Sequence, residues 1–324
     1  MTSRSLALSL PLLLLLSGAN CSSSPTEAPA ETTVKAAPLP PEFGAYWFQG
    51  KAELSSYNLE QARYGEIHKG EAVLIFVTED FSRRKQVKLD NPAKAPAGDK
   101  VPVLKLNFEK KFLTGIYPYS LLTSTFTPLD QASDPHSLKV STSVQEWCGH
   151  IFTQLNLRKK EYAVSQKSYF ESESDSETTL PISLLEDELW NRIRLNPANL
   201  PTGALRIVPA TTFSRLQHLP LQAEAATATL AAATANNRFA SKAPLQVYTL
   251  TYSSSAPRTL AIYFEQAFPH RILGWDETYL DRPGAKEPRQ LTTRATRKRS
   301  LQLDYWRTHN NEHLNWRDSL ALPR

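Results

Sequence analysis

The chain has 324 residues, a net charge of +5, 41% hydrophobic residues and two cysteines. That length supports a substantial buried core. The weak positive charge, spread over separated clusters such as Arg83-Arg84-Lys85 and Arg158-Lys159-Lys160, speaks against a dedicated polyanion binder, and no nucleic-acid partner is expected.

Residues 1–20 read as an export signal, with Arg4 at the start, an apolar run from Leu6 to Leu16, and small residues Ser17, Gly18 and Ala19 at the end. About eleven apolar residues are too few for a hydrocarbon core that needs roughly 20. Cys21 is then the expected site of lipid attachment. It would anchor the protein in the cell envelope, on the extracytoplasmic side of a membrane, with the outer membrane as the expected one. A lipobox usually carries Leu three places before its cysteine and a small residue directly before it, where this chain has Gly18 and Asn20. Cleavage after Ala19, giving a soluble exported protein, is the alternative. Residues 21–42, rich in Ser, Thr, Ala and Pro, are expected to be a disordered tether. Residues 43–324 then form the globular domain, with two sub-halves joined near 181–200 as one possibility. If Cys21 is acylated, Cys148 has no disulfide partner; if it is free, a Cys21–Cys148 bridge is open.

Along the domain, short β-type segments alternate with turn residues. Tyr57–Glu66 reads as a strand or a helical turn. Ala72–Thr78 is a continuous apolar run that suits a strand buried on both faces. Leu104, Leu106 and Phe108 alternate with Lys105 and Asn107, giving a strand with one wet face. Phe112–Phe126 is expected to break into two strands at Pro118. Leu138–Val144, Trp147–Leu157 and Tyr162–Phe170 continue the series. One helix is predicted over 183–194, with Ser183 and Glu186 as a capping box and Leu185, Leu189, Trp190 and Ile193 on one face. Strands follow at Ala204–Val208, Glu224–Leu230, Leu245–Tyr252, Thr259–Phe264, His270–Tyr279 and Gln290–Leu303. The fold class is therefore mainly β: a large curled antiparallel sheet or half-barrel with one short helix. Its concave side could be filled by its own side chains, by the helix, or by an apolar ligand. The alanine-rich stretch Ala223–Ala235 could leave room on one face.

Candidate chemistry is sparse. In Gln145-Glu146-Trp147-Cys148-Gly149-His150, an extended strand would put Glu146, Cys148 and His150 on one face. Cys148 and His150 would sit about 7 Å apart at Cα, awkward for a nucleophile and its base. A buried structural cysteine beside Trp147 is the default reading. His309 and His313, four residues apart, could share a helical face as metal ligands, though no third ligand stands nearby. The acidic run Glu171–Glu177 has the oxygens for calcium but lacks the ordered ligands and Gly turn of an EF-hand. No P-loop, dinucleotide-binding, nucleophile-elbow, zinc-protease or Cys-x-x-Cys motif occurs, and no cofactor is expected.

Tyr46-Trp47 through Tyr64-Gly65-Glu66, Phe76–Phe81, Lys111–Pro118, Val144–His150 and Leu314–Leu320 together resemble a group of bacterial envelope lipoproteins, some of which carry the label septum formation inhibitor Maf. The resemblance spans nearly the whole folded region and implies an envelope address, with a septum-formation role as the label suggests. Maf nucleotide pyrophosphatases are cytoplasmic α/β proteins with an early Ser-Pro-Arg-Arg motif. This chain lacks that motif, so none of their catalytic residues carries over. The expected function is that of a non-enzymatic, lipid-anchored binding or scaffolding protein, its partner an apolar ligand or another envelope protein. The alternative is an extracytoplasmic hydrolase or transferase using Cys148 and His150.

Overall fold

The structure, a computed structural model, describes residues 36–234, 238–239, 241–253, 256–282, 284 and 286–324. The expected signal peptide, Cys21 and the tether up to residue 35 lie outside the described residues. The described chain forms sixteen strands: β1 (Ala52–Arg63), β2 (Glu66–Ser82), β3 (Val87–Lys88), β4 (Lys100–Thr114), β5 (Tyr117–Pro128), β6 (Lys139–Glu146), β7 (Gly149–Leu157), β8 (Glu161–Lys167), β9 (Ser176–Pro181), β10 (Leu184–Leu185), β11 (Gly203–Val208), β12 (Glu224–Ala232), β13 (Leu245–Tyr252), β14 (Arg258–Glu265), β15 (Ile272–Asp281) and β16 (Arg289–Leu303). Four short helices accompany them: α1 (Phe43–Trp47), α2 (Glu186–Leu195), α3 (Thr211–Leu216) and α4 (Asn315–Ser319).

All strands belong to one sheet. Its order runs from β10 through β16, then β1 and β2, then β4 through β9, with β3 paired to the end of β2. Every neighbouring pair is antiparallel except β10–β11. The β1–β16 ladder, from Ala52 opposite Leu303 to Glu60 opposite Arg294, joins the strands before the helix to those after it. The two sub-halves share a core: one main cluster of buried side chains draws on both. The two edge strands, β9 and β10, are consecutive in the chain and separated only by Ile182 and Ser183. The sheet must curl until its edges approach, although no ladder closes them among the described residues.

Local sequence explains most strand boundaries. The β1–β2 hairpin turns on Tyr64 and Gly65, at φ +57° and +78°. Two successive positive φ values define the type I′ turn that matches strand twist. So Tyr57–Arg63 is strand and not helical turn. The expected break at Pro118 falls instead at Gly115, φ +59°, while Pro118 stands opposite Leu113 inside β5. A turn needs the left-handed residue, and Gly supplies it at least cost.

The interior of the curled sheet is occupied by α2, whose ten residues are all buried. The helix begins later than predicted, because Leu184 and Leu185 pair with Ile207 and Val208 as a strand. The Ser183–Glu186 capping box does not form: the Ser183 hydroxyl donates to Pro181 O at 3.1 Å, and the Glu186 carboxylate is drawn inward to Arg258. Leu189, Trp190 and Ile193 pack in the main core, each contributing about 1.5–3 kcal/mol by burial. Trp190, Phe108 and Trp275 meet edge to face, with ring centroids 5.0–5.2 Å apart. Asn191 donates to Leu104 O and the Thr127 hydroxyl, stitching the helix to β4 and β5. Of the fillings left open by the sequence, the helix is present together with the sheet's own side chains. Ala226 and Ala228, from the alanine-rich stretch, lie in this same core.

Residues 37–39, placed in the expected tether, are held on the domain. Ala37 exchanges two hydrogen bonds with Asn199, Asn196 donates to Pro38 O, and Leu39 packs on the core. These contacts lie just past the C-terminus of α2, so the chain enters the sheet at that end. Among the described residues, no helix is long and apolar enough to cross a membrane.

Candidate functional site

In an antiparallel meander, alternate connections lie at the same end. The β1–β2, β4–β5, β6–β7, β8–β9 and β15–β16 connections therefore form one rim, opposite the end where the chain enters. This rim carries exposed large apolar side chains: Leu113 at 58%, Ile116 at 83%, Trp147 at 67% and Tyr169 at 61%. Trp147 stacks on Tyr117 with the planes 27° apart. Tyr117 donates to the Tyr64 hydroxyl at 3.1 Å, and the Tyr64 and Tyr119 hydroxyls lie 2.5 Å apart. Tyr119 stacks in turn on Phe112, so aromatic rings run from the core to the rim. The Arg63 guanidinium caps the Tyr64 ring at 4.3 Å and donates to Leu216 O of α3. Clustered exposed apolar groups of this kind mark interaction surfaces more often than scattered ones do.

The sequence-derived catalytic candidates sit on this rim but do not form a catalytic pair. β6 ends at Glu146 and β7 begins at Gly149, so Trp147 and Cys148 make the turn rather than extended strand. Cys148 is exposed, which corrects the reading of a buried structural cysteine. A tight turn turns both residues outward. Among the described residues no hydrogen bond joins Cys148 to His150, which is itself exposed. The Glu146 carboxylate accepts the Cys148 N–H at 2.7 Å. Its hydrogen bond to the thiol and its negative charge hold the Cys148 pKa above the usual thiol value. An activated thiolate needs the opposite environment.

Gly149 has a packing role. A Cβ there would lie 2.4 Å from the Tyr169 ring, which covers the hairpin. Gly149→Ala is expected to displace Tyr169 with about 1–2 kcal/mol of destabilisation, read as a change in tyrosine packing by NMR and a lower urea midpoint. Unchanged Tyr169 resonances would contradict this contact.

The remaining candidates are tied into the protein. His309 Nδ1 lies 2.9 Å from Trp306 O, and His313 Nδ1 accepts from the Asn310 N–H within a single 3-10 turn. Among the described residues, no three His, Cys, Asp or Glu side chains are grouped to hold a metal. In the acidic run, Glu173 pairs with Arg215 and His218, and Glu177 with Lys167 and Ser165. Ser176 and Glu177 already belong to β9.

A second concentration of polar groups, not singled out by the sequence, lies inside the sheet beside α2. Arg258 donates to both Glu186 and Glu277, and the Tyr252 hydroxyl donates to Glu186 at 2.5 Å. Arg258 is sandwiched by the Phe213 and Tyr252 rings, 4.1 and 4.6 Å from their centroids. Burial pushes Asp187 up to about 7, although its carboxylate accepts the Thr211 N–H at 3.0 Å. Lys110, only 7% exposed, has its Nζ 4.9 Å from the Phe108 ring centroid; burial holds its pKa below the usual lysine value, against the attraction of Glu277 and Glu186. Two other pairs of buried charges form. Arg194 forks onto Glu53, and Glu188 meets Arg192; burial opposes its ionisation, yet Arg192 and other donors hold Glu188 down to about 2.

No family model and no curated protein matches the chain. Among solved structures, it is similar to a β-barrel-like protein of domain of unknown function DUF1849 from Brucella abortus. That pair has 9% sequence identity and a TM-score of 0.45, covering 78% of this chain and 96% of that one.

Proposed function

We propose that the protein is a non-enzymatic, lipid-anchored envelope protein, attached through Cys21, that binds a partner or supports an assembly through its aromatic rim. The observation that carries this reading is the filled interior. With α2 in place, the cavity beside it measures about 20 Å³, which admits roughly one water molecule. That space does not admit an apolar ligand, and we assign recognition to the outside. The rim supplies the exposed aromatic and aliphatic groups that interfaces favour. The Cys148–His150 alternative has no support from the geometry at the turn. An assembly at the septum is the setting that the family resemblance implies.

Two variants test the proposal. Cys21→Ala is expected to move the protein from the detergent-extracted membrane fraction to the soluble extracytoplasmic fraction. Trp147→Ala combined with Ile116→Ser is expected to retain fractionation and thermal midpoint, because both residues are exposed, while losing the envelope phenotype of the wild type. Membrane retention of the Cys21→Ala protein would contradict the anchor. Full function of the rim variant would contradict the rim.

A further inference from the structure

A larger pocket, of about 190 Å³, lies toward the end of the sheet where the chain enters, away from the aromatic rim. Its lining includes Trp47 at the end of α1, Gly50 and Lys51 in the connection to β1, Glu79 on β2, Lys88 on β3, and Trp306 in the 3-10 turn Tyr305–Arg307. The Thr78 hydroxyl donates to Trp47 O at 3.0 Å, fixing the end of α1 to β2. A Cβ at Gly50 would meet no atom within 4 Å, so that wall has room. Two buried polar atoms on the lining residues have no hydrogen-bond partner among the described residues: Glu79 Oε2, an acceptor, and Trp47 Nε1, a donor. The Glu79 side chain is only 8% exposed, and its other oxygen faces Lys88 Nζ at 3.4 Å and Lys105 Nζ at 3.6 Å. Buried groups left unpaired bear the full cost of their lost hydration, so a partner for them is strongly favoured.

We infer that this pocket binds one neutral pyranose unit of a saccharide. An unpaired acceptor and an unpaired donor occur on the same lining, and a hydroxyl is the group that donates and accepts at once. A pyranose ring carries hydroxyls on adjacent carbons. They donate to Glu79 Oε2 and accept from Trp47 Nε1 and from the ammonium groups of Lys51 and Lys88. The apolar C–H face of the ring lies against Trp306, which is 45% exposed and has an electron-rich face. The Lys88 side chain is 62% exposed, so it can move aside as the ring enters and let the Glu79 carboxylate turn toward it. An ionised carboxylate has no donor to offer Glu79. A cationic ligand meets three lysines, Lys51, Lys88 and Lys105, against one carboxylate. Drug-sized ligands take about 300–1,000 Å³, so this smaller pocket suits a single ring, with any further sugar units outside it. The site is separate from the rim and does not rest on the rim's role.

Saturation-transfer NMR of the purified protein tests the site, with the methyl pyranosides of glucose, galactose, mannose and N-acetylglucosamine as probes. At least one is expected to bind with a dissociation constant of about 1–10 mM. Methyl glucosaminide, which carries a free ammonium, is expected to bind more weakly than the neutral sugars; tighter binding would overturn the assignment to a neutral ligand. Trp306→Ala and Glu79→Ala are each expected to weaken binding by about tenfold. The Trp147→Ala and Ile116→Ser rim variant is expected to bind sugar as the wild type does, which separates this site from the rim. Should Glu79→Ala not fold, Trp306→Ala decides the matter, because its side chain is partly exposed and outside the buried core. No binding of any of the four sugars at about 50 mM, or undiminished binding by Trp306→Ala, would overturn the site.

Discussion

Replacing Asp187 with Asn is expected to stabilise the protein above neutrality and to leave its stability nearly unchanged near pH 4. The carboxyl ionises at about 7 in the folded state, against 3.8 for an unperturbed group. A raised folded pKa means that the native state prefers the protonated form. Its contribution is fully present below about pH 4, declines as pH rises, and is lost once pH passes about 7. A displacement of about three pH units corresponds to about 4 kcal/mol at most, since each unit is about 1.4 kcal/mol. Asn cannot ionise, and its side-chain oxygen can still accept the Thr211 N–H. Urea unfolding at a series of pH values measures the effect. A wild-type and variant difference that stays constant from pH 4 to 8 would show that Asp187 is not the titrating group.

Arg258→Ala is expected to cost about 3–5 kcal/mol, because it strands two carboxylates inside the fold. Glu186 and Glu277 both accept from this guanidinium, and Glu186 would keep only the Tyr252 hydroxyl. The loss also removes the cation from between the Phe213 and Tyr252 rings. Arg258→Lys is expected to recover little, since a point charge cannot fork onto two carboxylates. A triple replacement, Glu186→Leu with Arg258→Met and Glu277→Leu, is expected to restore most of the stability, as a matched apolar set carries no desolvation penalty. Chemical denaturation of the four proteins separates stranded charge from lost volume. If the triple variant were no more stable than Arg258→Ala, packing rather than charge would dominate here.

These buried charges had a signal in the chain, and it lay in the strand period. Lys110 occupies the same face as Phe108 and Phe112, Arg258 the same face as Leu260 and Ile262, and Glu277 the same face as Trp275 and Tyr279. A charge in phase with an apolar stripe points toward the core. The helix was legible as a helix, but not as the centre of the molecule. Its sequence Glu-Asp-Glu-Leu-Trp-Asn-Arg-Ile-Arg-Leu carries charges that normally mark a wet face, yet Arg194 meets Glu53 across the fold and Arg192 meets Glu188. The Cys148–His150 pair was misread for a local reason. Glu146-Trp147-Cys148-Gly149 looks extended in composition, and only strand pairing shows that the chain reverses there.

By itself the sequence determined that this is a mainly β protein of consecutive antiparallel strands, with a short helix close to 183–194, because period-two hydrophobicity and turn residues are local signals that survive in a single chain. Tertiary structure alone decided that the sheet curls until its edge strands become neighbours in the chain, and that α2 fills the space within. It also decided that Lys110, Glu186, Asp187, Arg258 and Glu277 gather beside the helix and that Trp147 and Tyr169 come out on one rim. Each of these depends on residues dozens to hundreds of positions apart meeting in space. Local propensity carries no record of a partner at that separation, whereas burial and charge pairing are set only when the sheet has closed around the helix.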